Sequence, residues 1–132
     1  MLTVRTVKVM QDGQLRVVYS SAQPISLSIS PPHLVARRKV NPIISLAATA
    51  NPVGGTGPYS YLWTLDSYGG PEVPVIRSPT FASTQFSMGS VFEEFPGVAN
   101  FRCTLTDSLG NTAAATIEVN FFFYTDDHAS PL

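Results

Sequence analysis

The run GPYSYLWTLDS at positions 57–67 decides how the rest of the chain reads. Tyr59, Tyr61, Trp63 and Leu65 occupy every second position, with Ser60, Leu62 and Thr64 between them. Successive side chains of an extended chain point to opposite faces, so this spacing gathers the aromatics on one side of a strand. The preceding NPVGGTGP (51–58) is a turn-forming loop, which separates that strand from the one before it. Trp63 is the only tryptophan of the 132 residues, and a side chain that large on an inward face is expected to fill the middle of a core.

A second run, FRCTLTDSLGN at 101–111, repeats the pattern with Phe101, Cys103 and Leu105 on one face. Asp107, Gly110 and Asn111 form a turn there, and TAAATIEVNFFF (112–123) returns as the next strand. If that strand keeps its alternation from Ile117 and Val119, Phe121 and Phe123 face inward while Phe122 and Tyr124 face out. Working outward, ISLSIS (25–30) alternates and stops at Pro31-Pro32, because proline removes ladder donors. PPHLVARRKVNP (31–42) reads as a polar connection, and IISLAATA (43–50) as a strand with Ile44, Leu46 and Ala48 inward. VIRS (75–78) and TFASTQFSM (80–88) complete the set, and helical periodicity is nowhere sustained. The expectation is an all-β sandwich of about seven short strands.

In immunoglobulin-like sandwiches a third-strand tryptophan packs against the second and sixth strands, where a disulfide often sits. Here the expected core is Trp63 against Leu46, Ala48, Phe101 and Cys103, with Ala48 where a first cysteine would stand and therefore no bridge. Phe101 has the spacing of a tyrosine corner without the hydroxyl. The stretch 54–119 resembles the PKD and bacterial Ig-like modules: PYSYLWT is similar to their third strand, and FRCTLTDSLGNTAAATIEV to their last hairpin. The resemblance implies the fold and no binding site, since TLDSYGG departs from the PKD pattern after Trp63. Modules of this kind recur in virion proteins of tailed bacteriophages.

Ahead of the sandwich, alternation on both sides of Asp12-Gly13 predicts a β-hairpin. The organisation expected is therefore an N-terminal hairpin or arm (1–24), an Ig-like, PKD-like sandwich (25–124) and a C-terminal tail (125–132). Hydrophobic residues make up 44% of the chain and charged ones 13%, about half the usual charged share, which suits contact with neighbours. Net charge is −1, but it is divided. Positions 1–40 hold six basic residues (Arg5, Lys8, Arg16, Arg37, Arg38 and Lys39) against Asp12, and positions 41–132 hold Arg77 and Arg102 against eight carboxylates. A basic start of this strength biases docking toward an acidic partner or the acidic part of a like molecule; it is too weak a signal for nucleic acid.

Chemistry finds little footing. A single cysteine permits no intrachain disulfide, and the two histidines, His33 and His128, form no pair at metal spacing. No nucleophile–base set is visible, so no enzyme, cofactor or metal site is expected. Asp66 and Asp107 read as turn caps rather than calcium ligands, and Asp126-Asp127 as part of a solvated tail. Cys103 reads as an inert buried thiol. The candidate partner interface is Arg5, Lys8, Arg16, Arg37, Arg38, Lys39, Phe122 and Tyr124, with the two aromatics either exposed anchors or covered by the hairpin.

The N-terminus lacks the continuous apolar stretch of a signal peptide, and no segment is apolar enough to span a bilayer. The expectation is a chain made in a host cytoplasm and located on a virion. It would be a capsid decoration protein of a tailed phage, held in a symmetric multi-copy array, with no membrane or nucleic-acid partner. A tail accessory role and a glycan- or cell-surface-binding module using Tyr59, Tyr61, Tyr68 or Tyr124 are the alternatives.

Overall fold

The computed structural model describes residues 3–11 and 14–124, with side chains from Gln23 to Tyr124. The Asp12-Gly13 turn and the tail from 125, with Asp126, Asp127 and His128, lie outside the described residues. So do the side chains of Arg5, Lys8 and Arg16.

Twelve strands and no helix occur among the described residues. β1 (Thr3–Gln11) and β2 (Gln14–Ala22) pair antiparallel from Thr3↔Ala22 to Gln11↔Gln14, as the alternation about Asp12-Gly13 predicts. They form a two-stranded sheet of their own.

The sandwich begins with β3 (Ser26–Ser30) and β4 (His33–Arg38), then β5 (Ile43–Ile44), β6 (Ala48–Val53) and β7 (Ser60–Gly69). β8 (Val75–Ile76), β9 (Ser83–Thr84), β10 (Phe86–Met88), β11 (Gly97–Thr106) and β12 (Thr112–Phe123) complete it. One layer is the sheet β4-β12-β11-β7. The other consists of two pieces, β3-β6-β9 and β5-β10-β8. β3 with β4, β5 with β6 and β9 with β10 are each one strand interrupted, which leaves the seven strands of an immunoglobulin-type sandwich.

Two interruptions correct the sequence reading. Residues 31–42 are not wholly a connection, because β4 pairs in parallel with β12 from His33↔Glu118 to Arg38↔Phe123. The chain changes layer at Pro31-Pro32, and Leu34 and Ala36 then enter the core on the alternation of β4 while Val35 and Arg37 face out. The basic pair Arg37-Arg38 hid that alternation.

The second interruption overturns the placement of Leu46, which is 79% exposed. Ser87 pairs with Ile44 and Thr84 with Ala48, so three residues (45–47) oppose two (85–86). One extra residue is a β-bulge, and it shifts the alternation so that Ile43, Ser45 and Ala48 are buried instead of Ile44, Leu46 and Ala48. Ser45 holds the bulge in place. Its N–H donates to the Phe86 carbonyl (2.8 Å), and its hydroxyl accepts from the Phe86 N–H (3.0 Å) while donating to the Leu46 carbonyl (2.8 Å).

The core otherwise follows the reading. Trp63 is 1% exposed and in register with Cys103 on the neighbouring strand, while Ala48, Phe101 and Cys103 are fully buried. The indole meets Phe86 edge-on at 5.7 Å between ring centres, and Phe86 stacks on Phe101 at 4.0 Å. The indole Nε1–H donates to the Phe81 carbonyl at 2.8 Å, so its polar edge is satisfied inside the sandwich. Tyr61 and Leu65 pack against this cluster from the same strand.

Candidate functional site

The parallel pairing of β4 with the end of β12 places two sequence-predicted groups side by side. Arg37 is in register with Phe122, and its guanidinium carbon stands 5.7 Å from the centre of that ring. One step on, the Lys39 ammonium stands 6.0 Å from the centre of the Tyr124 ring, and the Tyr124 N–H donates to the Arg38 carbonyl at 3.1 Å. The Arg38 side chain turns back to donate to the Pro42 carbonyl (3.4 Å). Phe122 and Tyr124 remain 37% and 39% exposed under their cations. Cation–π contacts at such sites contribute about 0.5–1 kcal/mol each, enough to align the side chains and too little to bury them. Aromatic faces edged by fixed positive charge suit a partner with apolar area and carboxylates. Thus Arg37, Arg38, Lys39, Phe122 and Tyr124 come together.

An adjoining element escapes sequence reasoning. Asn41, just past β4, uses its side-chain amide as a strand would use its backbone, donating to the Val91 carbonyl (3.0 Å) and accepting from the Val91 N–H (2.9 Å). That clip holds the turn 92–95, closed by a Phe92↔Phe95 bridge, against the end of β4. Phe92 and Phe95 are half exposed, Glu93 and Glu94 stand between them, and the Phe92 ring lies 6.1 Å from that of Phe123. FEEF (92–95) is too short to establish a strand or helix period, and the signal it carries is two phenylalanines in a connection.

The reactive candidates lie elsewhere. Cys103 is buried, and desolvation pushes its thiol up to about 11 despite a hydrogen bond with the Leu62 backbone. His33 is exposed at the start of β4. Asp107 caps the β11–β12 turn as predicted, accepting from the N–H groups of Leu109 and Asn111 (2.9 Å each). Its other oxygen accepts from the Thr56 N–H (3.1 Å) and the Asn111 side chain (3.2 Å), which ties the loop before β7 to this turn. Burial opposes its ionisation, but the hydrogen bonds from Asn111, Thr56 and Leu109 win and hold the carboxyl below its ordinary value.

Asp66, expected to cap a turn, lies inside β7 instead. The β7–β11 register shifts between Asn100 and Phe101, so Asp66 is the unpaired residue of a second bulge, and its carboxylate pairs with Arg102 at 3.0 Å. An exposed pair of this kind is worth at most about 1 kcal/mol. Among the described residues no group of three or more His, Cys, Asp or Glu side chains is disposed to hold a metal ion. Of the tyrosines considered for sugar binding, Tyr59 donates to the Gly54 carbonyl at 2.6 Å and Tyr61 packs on the core. Tyr68 and Tyr124 are the exposed ones, at 44% and 39%.

No family model and no curated protein matches the chain. Solved structures do. The PKD domain of human KIAA0319 is 17% identical, with a TM-score of 0.59 over 78% of this chain and 85% of that one. A nucleoside hydrolase-related hypothetical protein from Saccharophagus degradans, described as associated with carbohydrate metabolism, is 12% identical with a TM-score of 0.54. The match covers 79% of this chain and 26% of that protein. Identities this low establish the fold and carry no activity across. The chain is an all-β, PKD-like sandwich of the immunoglobulin type.

Proposed function

We propose that the chain is a non-enzymatic structural protein of a tailed-bacteriophage particle, decorating the head shell and anchored through its N-terminal segment. The observation that carries this reading is the separation of β1 and β2 from both layers of the sandwich at the level of strand pairing. An isolated two-stranded hairpin is marginal in water, so this one leans either on its own sandwich or on a partner, and the reading proposed takes the partner. Arg5, Lys8 and Arg16 give that segment the charge to meet an acidic lattice. In a symmetric array modest contacts per copy add through avidity. The basic-aromatic strip at the end of β4 and β12 supplies a second contact.

Non-catalytic action is supported by the placement of Cys103 in the core, away from the exposed surface where His33 stands. A tail accessory role uses the same contacts on a different lattice. The glycan reading is supported by the exposure of Tyr68 and Tyr124 and weakened by the internal engagement of Tyr59 and Tyr61. The test is mass spectrometry of gradient-purified particles from the phage that encodes the chain. Tens to hundreds of copies per head are expected, copies confined to tails favour the alternative, and absence from particles defeats both. A glycan array with the full chain completes it, where saturable binding lost in Tyr68→Ala would replace the virion reading.

A further inference from the structure

We infer that the open edge of β3 pairs with the same edge of a second copy of this chain, joining two β3-β6-β9 sheets into one. The pairing uses none of residues 1–22, so it stands apart from the anchoring role proposed above. Among the described strands β3 has one neighbour, β6, and its other side ends the sheet.

The hydrogen-bond phase fixes which groups face that open side. The Ala50 N–H donates to the Ala82 carbonyl (2.8 Å), on the side of β6 away from β3. Backbone groups alternate sides along a strand, so Thr49, Asn51 and Val53 are the β6 residues that bond β3, and Pro52 falls where no N–H is needed. Their register partners Ser30, Ser28 and Ser26 therefore turn their N–H and C=O groups toward β6. Leu27 and Ile29 turn theirs to the open edge, while their side chains pack on the core.

Natural sheets block such edges with charge, bulges or brevity. Of the sandwich's other outer strands, β4 carries Arg37 and Arg38, β7 is bulged at Asp66, and β5, β8 and β9 have two residues each. β3 has no charge and no bulge, and residues 23–32 include no charged side chain.

The occupant that fits this edge is its own image. SLSIS (26–30) has the same pattern in both directions about Ser28, so an antiparallel pair centred there sets Leu27 of each copy against Ile29 of the other. Each of those contacts exchanges two backbone hydrogen bonds. Sliding the register by two residues in one direction sets Leu27 against Pro31, which has no N–H to give. A twofold axis also brings every charge near its own image, so a self-pairing surface must be neutral. Here the outward side chains are Ser26, Ser28 and Ser30, with Asn51 bonded to Ser30 and Thr49 to Ser83 behind them. An acidic or basic partner strand finds no complementary charge. A contact of five residues per copy is well below the roughly 800 Å² each partner buries in a standard interface, so the dissociation constant is roughly 0.1–1 mM.

The test is sedimentation equilibrium of the full chain between about 10 µM and 1 mM, where the wild type is expected to shift from monomer to dimer. Ser28 is exposed, so Ser28→Lys and Ser28→Glu should leave the fold unchanged by circular dichroism. Each variant sets like charges across the axis, about 4.5 Å apart between Cα atoms, and is expected to weaken association about fivefold. Mixing the two sets opposite charges there and is expected to recover dimer, a result specific to the register centred on Ser28. In nuclear magnetic resonance spectra the amide signals of Leu27 and Ile29 are expected to move with concentration more than those of Ser26, Ser28 and Ser30, which are already bonded to β6. A wild type that stays monomeric, variants that associate like the wild type, or a mixture that fails to recover would each overturn the inference. Leu27 and Ile29 amides that exchange slowly in the monomer would make a segment of the same copy the occupant of the edge and overturn it too.

Discussion

Replacing Trp63 by alanine tests the core at its largest side chain. The indole is 1% exposed, and a fully buried tryptophan removes on the order of 200–250 Å² from water, worth about 5–6 kcal/mol at 25 cal/mol/Å² as an upper bound. Cores relax part of the way into such a space, and Trp→Ala changes settle at about 3–5 kcal/mol. Loss of the hydrogen bond to the Phe81 carbonyl adds about 0.5–1.5 kcal/mol, which falls within that range. We expect about 4 kcal/mol, read as a fall of roughly 2–4 M in the urea midpoint at an m-value of about 1–2 kcal/mol/M. Circular dichroism is the probe, since the substitution removes the only tryptophan. Trp63→Phe keeps a ring against Phe86 and should cost about half as much. Leu46→Ala, on the outward side of the bulge, should cost less than about 0.5 kcal/mol. A Trp63→Ala cost below about 1 kcal/mol, or a Leu46→Ala cost equal to it, would refute the packing described.

Ser45→Ala leaves the buried Phe86 N–H without its side-chain acceptor and should cost about 1–3 kcal/mol by urea titration, whereas Ser45→Thr, which keeps the hydroxyl, should cost less. Asp107 has a carboxyl held below its ordinary 3.8, so its contribution to stability is complete above that value and is lost as pH falls through the lower folded value. The midpoint temperature of the wild type should therefore fall more steeply between pH 5 and pH 2 than that of Asp107→Ala, and parallel curves by calorimetry would contradict the cap. With its thiol raised from 9.0 to about 11, Cys103 has about a hundredfold less thiolate at pH 8 than an ordinary cysteine, before burial is counted. Iodoacetamide should label it at least a hundredfold more slowly in the native chain than in guanidinium, and equal rates would place the sulfur outside the core.

What the sequence displayed, and what it concealed, follows from the period of two. Where alternation ran unbroken, as in Trp63 with Tyr61 and Leu65 or Phe121 with Phe123, the face each residue takes was legible directly. Leu46 was misplaced because a bulge changes the phase by one residue and leaves no residue-type signature in IISLAATA. β4 was concealed for a different reason: its inward residues, Leu34 and Ala36, are few, the apolar Val35 faces outward between them, and the strand ends in the basic pair Arg37-Arg38. Asp66 looked like a turn because β7 runs to Gly69 through a second bulge, whereas Asp107 was legible because its neighbours Gly110 and Asn111 specify the turn it caps. The surface proved half readable. Arg37, Lys39, Phe122 and Tyr124 are marked by type and alternation, but their meeting depends on a parallel pairing between residues about 85 apart. Phe92 and Phe95 reach the same end only through the Asn41 clip, a side-chain contact that pattern reading does not see.

On the reading proposed, a chemically inert sandwich acts by being held in place through residues 1–24. The most direct measurement compares the occupancy of particles lacking the chain after addition of the full protein or of residues 25–132, counted by electron microscopy at equal concentration. Regular density over the head is expected with the full chain, and at least a tenfold loss of occupancy without the hairpin. Undiminished occupancy by residues 25–132, with their fold intact by circular dichroism, would contradict it.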